Sequence, residues 1–117
     1  MTDPHIIDRS LVIIIPKQAF YDWANQVFPE DRMDMSPEKT EEHNSYLLKN
    51  ELMYDDPKKA LKNYWEFIFE DQLFGICTDD RLWPETISWK LFTEWFSFYF
   101  SAIVVDLEQG EIFKEEY

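Results

Sequence analysis

Cys77-Thr78-Asp79-Asp80, followed by Arg81-Leu82-Trp83-Pro84, places the only cysteine, two adjacent carboxylates and a tryptophan side by side. Three chemistries are open to such a set: a thiolate nucleophile, a carboxylate acid or base beside an indole, and a recognition surface with an aromatic anchor. The thiolate reading is weak. Cys77 follows the end of a predicted helix, where the partial negative charge of the helix and the nearby Asp79 and Asp80 all oppose ionisation of a thiol. It reads instead as a buried structural cysteine. Adjacent aspartates in a Thr-Asp-Asp turn read first as capping groups, with Thr78 and Asp79 the expected caps; a carboxyl raised by its neighbour Trp83 is the alternative. Trp83 itself has two readings. It is either a half-exposed anchor rimmed by charge or a plug for the end of the core.

A second set lies on either side of that stretch. Glu66 and Glu70 fall one helical turn apart, and Glu94 can face them from a later helix. Three carboxylates suit Mg²⁺ or Ca²⁺. The plainer reading is a solvated helix face, because the histidines of a dinuclear helical site are missing. The histidines, His5 and His43, have no second ligand at metal spacing, and neither Cys-x-x-Cys nor His-Glu-x-x-His occurs. No metal and no cofactor are expected. Two glycines, Gly75 and Gly110, cannot write a P-loop or a dinucleotide fingerprint. There is no Gly-x-Ser-x-Gly, and no serine has an evident histidine partner.

The elements that must position these residues follow from periodicity. Leu11-Val12-Ile13-Ile14-Ile15 is a continuous apolar run ended by Pro16, and predicts a central strand buried on both faces. Residues 17–28 put Phe20, Trp23, Ala24 and Val27 on one helical face, with Pro16 in the first turn and Pro29 closing it. Residues 30–44 are polar and acidic and predict a mobile loop, with a helical turn starting at Ser36-Pro37. Residues 45–48 predict a short strand. Asp55-Asp56-Pro57 is a helix start. One helix is expected from there to Phe74, stopped by Gly75, with Leu61, Trp65, Ile68, Phe69 and Leu73 as its stripe.

The charges of that helix are oddly arranged. Lys58, Lys59 and Lys62 come early and Glu66, Glu70 and Asp71 late, both against the helix dipole. The Lys62–Glu66 spacing recovers a little. A third helix starts near Thr86 or Ser88 and carries Trp89, Phe92, Trp95 and Phe96. Between Phe96 and Phe100 the period changes to two, so a strand follows, running towards Val105. Gln109-Gly110 then turns the chain, and residues 111–114 pair back as a short strand. The order gives an α+β class: a three- or four-stranded sheet with two to three helices packed on one face. The first strand-helix-strand unit is expected to cross over right-handed.

The 117 residues read as a single domain, 1–117. Area scaling gives about 6,800 Å² accessible when folded against about 20,700 Å² unfolded, enough for one core without disulfides. The net charge of −13 is spread evenly: 5 basic and 12 acidic groups in residues 1–56, 6 and 12 in 57–117. That balance disfavours nucleic acid and anionic membrane surfaces, and attracts a basic protein partner. It also keeps a very aromatic chain in solution. A single cysteine permits no internal disulfide, and the first residues do not resemble a signal peptide, so the expected compartment is cytoplasmic.

Taken together, Trp65-Glu66-Phe67-Ile68-Phe69-Glu70, Leu73, Cys77-Thr78-Asp79-Asp80, Leu82-Trp83-Pro84, Phe92, Trp95-Phe96, Ser101 and Val105-Asp106-Leu107 resemble a family of small, acidic, uncharacterised bacterial proteins. Val12-Ile13-Ile14-Ile15-Pro16 fits as well. The resemblance covers most of the chain and is thinnest over residues 30–56. Ile76 departs from it, since an aromatic often precedes the cysteine there. It implies a bacterial, cytoplasmic, single-domain protein and brings no activity and no catalytic residues.

The functional expectation is a non-catalytic protein-interaction domain, for example an inhibitor or immunity-type partner of a basic protein. The candidate binding residues are Asp79, Asp80, Trp83, Glu66, Glu70 and Glu94. The alternative is a small enzyme or small-molecule-binding protein with an aromatic, carboxylate-lined pocket between the second and third helices. A homodimer through the aromatic helices is a further expectation.

Overall fold

The computed structural model describes residues 3–36, 39 and 43–117. Its centre is the strand β2 (Arg9–Pro16), flanked by β3 (Ser45–Lys49) and β4 (Phe96–Ser101) in the order β3-β2-β4. Both neighbours are antiparallel to β2. A two-stranded ribbon pairs β1 (His5–Ile6) with β5 (Val105–Asp106). The helices are α1 (Gln18–Val27), α2 (Asn50–Asp55), α3 (Pro57–Lys62), α4 (Trp65–Ile76) and α5 (Trp89–Trp95), with a 3₁₀ turn at Asp80–Leu82. The class is α+β.

Register sorts the sheet into two faces. Ser10, Val12, Ile14 and Pro16 share one face with Tyr46, Leu48, Phe96, Phe98 and Phe100. Val12, Ile14 and Phe96 are buried there, under Phe69 and Phe92 from α4 and α5 and Phe20 and Trp23 from α1. Aromatic edges and faces meet throughout this layer, with Phe69–Phe96 rings 5.3 Å apart and Phe20–Phe96 rings 5.1 Å apart. Removing a ring such as Phe69 would cost about 3–5 kcal/mol by leaving a cavity. Ser10, the buried polar residue of the face, donates to Asn50 Oδ1 at 2.7 Å. Cys77 is buried, as expected of a structural thiol.

Several expectations are corrected. The predicted right-handed crossover does not exist, because β2 and β3 are antiparallel. Pro16 ends β2 rather than opening α1; Lys17 holds the cap position and donates its backbone N–H to Trp95 O. Strand β2 alternates between buried and half-buried residues, so it is fully covered on one face only. Residues 111–114 form no strand. Where described, residues 30–44 form neither helix nor strand. The helical turn expected from Ser36-Pro37 lies outside the described residues.

The most consequential correction concerns the expected helix from Pro57 to Phe74. It is two helices. Asn63 and Tyr64 close α3 with 3₁₀-type bonds back to Ala60 and Leu61, and the chain restarts at Trp65. Lys59 and Lys62 therefore sit in a last turn and Glu66 in a first turn, where the dipole favours each sign. For these three the apparent opposition of charge and dipole disappears, whereas Lys58 in the first turn of α3 keeps it. Lys62 lies over the Trp89 ring, 5.0 Å from its centroid, rather than pairing with Glu66. Gly75 sits inside the last turn of α4, and Cys77 takes the cap position. Helix α2 was not legible because only Met53 of its six residues is buried, too few to show a period.

Residues 107–117 are exposed and lie outside helix and strand. Their extension fits an accessible area of 8592 Å², against about 6,800 Å² for a chain of this mass.

Candidate functional site

The outer face of α4 carries the candidate site. Phe67, Glu70, Asp71 and Phe74 recur at positions one and two turns apart, on the side opposite the buried Ile68, Phe69 and Leu73. Phe67 and Phe74 are each more than half exposed, at 54% and 56%. Beside them β3 is an edge strand, and the turn at Asn63-Tyr64 swings the exposed Tyr64 out to face it. Between β3 and α4 runs an apolar groove of about 470 Å³, lined by Tyr46, Leu47, Leu48, Tyr64, Phe67 and Tyr117 among others. A second groove of about 460 Å³ continues along α4, lined by Phe67, Glu70, Asp71, Phe74, Trp83 and Tyr117. Phe67 and Tyr117 border both.

Asp71 organises the junction. Its Oδ2 accepts from the Tyr46 hydroxyl at 2.5 Å and from Asn44 Nδ2 at 3.2 Å. Its Oδ1 accepts from the Tyr117 hydroxyl at 2.7 Å. Gln72 Nε2 donates to the Tyr46 hydroxyl at 3.1 Å, which fixes that hydroxyl as a donor towards Asp71. Burial, together with the hydrogen bond to Asp71, holds the Tyr46 phenol well above its ordinary range. The same hydrogen bond raises Tyr117. The negative charge of Asp71 is thus met by neutral donors, and the face keeps its net acidity.

Tyr117 is 88% exposed and packs at a tilt against Phe67, with ring centroids 6.4 Å apart. A hydrogen bond to a carboxylate contributes about 1.5–3 kcal/mol. Fixing a backbone costs about 1–2 kcal/mol per residue. Tyr117 is therefore held only lightly on this face.

The residues singled out from the sequence are dispersed. Glu70 and Trp83 line the second groove together. Glu66 and Glu94 are exposed on α4 and α5. Among the described residues no group of three His, Cys, Asp or Glu is placed to hold a metal ion. Asp79 is consumed locally. It caps the 3₁₀ turn by accepting from the Arg81 backbone, and it takes a two-pronged bond from the Arg81 guanidinium at 2.9 Å on each oxygen. Those bonds lower its pKa, the reverse of what an acid catalyst beside Trp83 requires. Asp80 opens the 3₁₀ turn as an exposed group. Trp83 is half-buried against the core, and its indole donates to Cys77 O at 2.8 Å. The Trp23 indole closes the same corner by donating to Leu82 O at 3.1 Å. Trp83 is a plug whose outer edge still forms one wall of the groove.

Tyr46, Tyr64, Phe67, Asp71 and Tyr117 were missed. One signal was present: Phe67 and Phe74 are seven residues apart on the polar side of α4, an aromatic stripe that the core does not need. Nothing local announced the partners of Asp71, which lie 25 to 46 residues away along the chain.

Comparison of the chain with protein-family models, with curated proteins and with solved structures finds no match. No described helix is long and apolar enough to cross a membrane.

Proposed function

We propose that this protein is a non-catalytic interaction domain that docks a basic polypeptide on the outer face of α4 and the adjoining edge of β3. The observation that carries the reading is the exposed Phe67–Phe74 stripe with Glu70 and Asp71 set between its two rings. Exposed aromatics in shallow grooves supply apolar anchors, and carboxylates around them select a cationic partner. The net charge of −13 steers such a partner from a distance. An extended segment can also pair with the free edge of β3 while its side chains enter the groove. An inhibitor or immunity-type protein of a basic target is a specific form of this reading.

The test is an amide NMR titration with a synthetic peptide alternating lysine and phenylalanine, beside one alternating glutamate and phenylalanine. The expected result is perturbation of residues 44–48 and 64–74 by the basic peptide only, weakened by salt and lost in Phe67→Ser. Shifts elsewhere, or shifts unchanged in Phe67→Ser, would remove the reading.

A further inference from the structure

Two phenols meet one carboxylate where the two grooves join. Asp71 Oδ2 is held by the Tyr46 hydroxyl and by Asn44 Nδ2, donors from β3 and from the residue just before it. Tyr46 is half-buried and is itself steadied by Gln72. The scaffold therefore fixes the carboxylate in place without help from Tyr117. Its other oxygen, Oδ1, serves the grooves: the hydroxyl it accepts belongs to Tyr117, whose side chain borders both. Tyr117 fits this seat with two groups at once, its hydroxyl on Asp71 and its ring against Phe67. The same segment carries a second ring, Phe113, which is exposed and lines neither groove. Burial of apolar area alone favours a phenyl over a phenol. The ring that is seated is the one with a hydroxyl.

We propose that the junction of Asp71 and Phe67 is a subsite for a tyrosine side chain of the basic polypeptide, and that Tyr117 fills it in the unbound chain. The inference rests on the docking reading above and names a residue that the docked polypeptide must carry. A phenol satisfies both parts of the seat. Its O–H donates a charge-assisted bond to the carboxylate, and its ring tilts against Phe67. A lysine would meet Asp71 as an exposed ion pair, which contributes little, and would leave Phe67 without a ring. A phenylalanine would cover Phe67 and leave Oδ1 unmet. Glu70 lines the groove beside Asp71 and takes the cation. The polypeptide therefore carries tyrosine next to lysine or arginine. Its tyrosine and Tyr117 claim the same oxygen and the same ring, so docking and the seating of Tyr117 exclude each other. The apparent affinity is scaled down by the fraction of molecules in which the seat is empty. Residues 107–117 are exposed, so Tyr117 can leave the seat without uncovering the core.

The experiment is calorimetric titration of the full chain with two peptides, one alternating lysine and tyrosine and one alternating lysine and phenylalanine. Tyr117→Ala and Asp71→Asn are run beside wild type, with near-ultraviolet circular dichroism as the check on folding. Tyr117 is exposed, so its removal should leave the fold intact. The tyrosine peptide should bind wild type about tenfold more tightly than the phenylalanine peptide, the worth of one hydrogen bond to a carboxylate. Tyr117→Ala should bind the tyrosine peptide a further threefold to tenfold or so more tightly, because the seat is then always empty. In Asp71→Asn, which keeps the shape and loses the charge, the preference for tyrosine should fall to about twofold or less. Equal binding of the two peptides to wild type would overturn this inference and leave the docking reading standing. Failure of both peptides to bind wild type and Tyr117→Ala would overturn the two together. Binding of the tyrosine peptide that is unchanged or weaker in Tyr117→Ala would show that Tyr117 does not hold the place of the incoming tyrosine, and would overturn the inference. A full preference for tyrosine in folded Asp71→Asn would do the same. If Asp71→Asn does not fold, the two peptides on wild type and Tyr117→Ala decide the matter.

Discussion

Residues 77–84 and the outer face of α4 hold similar side chains and differ in how those side chains are satisfied. In the first region, Asp79 is bound by the Arg81 guanidinium and backbone, and Trp83 donates to Cys77 O. Asp79 and Trp83 each find that partner within six residues, while Asp80 stays exposed. On α4, Phe67 and Phe74 have no full cover, and Asp71 is served by donors that arrive from β3 and from residue 117. The difference teaches that density of chemistry along a chain is a poor guide to a binding site. Neighbours in sequence can always reach one another, so a dense cluster tends to close on itself. An open surface such as the α4 face is built from segments that cannot.

The sharpest way to break this comparison is Trp83→Ala. As a plug with a bonded indole, Trp83 should cost about 2–3 kcal/mol on removal, less than a fully buried tryptophan. Urea unfolding measures it; an unchanged midpoint with lost partner binding would restore Trp83 as a pure anchor. Next comes Tyr46→Phe, which removes a donor to a carboxylate and should cost about 1.5–3 kcal/mol. The phenol also sets a pH signature. Folding holds Tyr46 above its ordinary value of 10.0. Its contribution is therefore complete below pH 10 and falls as the pH rises further, because the unfolded chain ionises first. Wild type should lose stability above pH 10 more steeply than Tyr46→Phe, read by thermal melts across that range.

Phe67→Ser should leave stability within about 0.5 kcal/mol while weakening binding of the basic peptide about tenfold. Large destabilisation would mean that Phe67 belongs to the core and that the two regions do not differ as described. The smallest effect belongs to Asp79→Asn. Asp79 is lowered from its ordinary 3.8 by Arg81. Its contribution is present above that value and lost as the pH falls through the folded one. The pair lies at the surface, so the melting temperature at neutral pH should not move measurably.

Much of the framework was legible. The run Val12-Ile13-Ile14-Ile15 announced a central strand, Phe20-Trp23-Ala24 announced the buried face of α1, and Asp56-Pro57 announced a helix start that the Asp56 side chain caps at Lys59 N. The break at Asn63-Tyr64 was not legible. Neither residue is a helix breaker, and the stripe from Leu61 to Trp65 keeps its spacing across it. Missing that break made Lys59, Lys62 and Glu66 read as charges set against the dipole.

What the sequence determined by itself was the set of short-range facts: which residues are apolar, at what period, and which caps begin helices. It fixed the α+β class, because burial of a stripe or of a strand face is a local pattern repeated along one element. Only the tertiary structure decided which faces remained open. Exposure of Phe67, of Tyr99 and of the sheet face around Ile13 depends on what the rest of the chain leaves uncovered. That residual surface is set by the packing of distant segments, and no window along the sequence contains it.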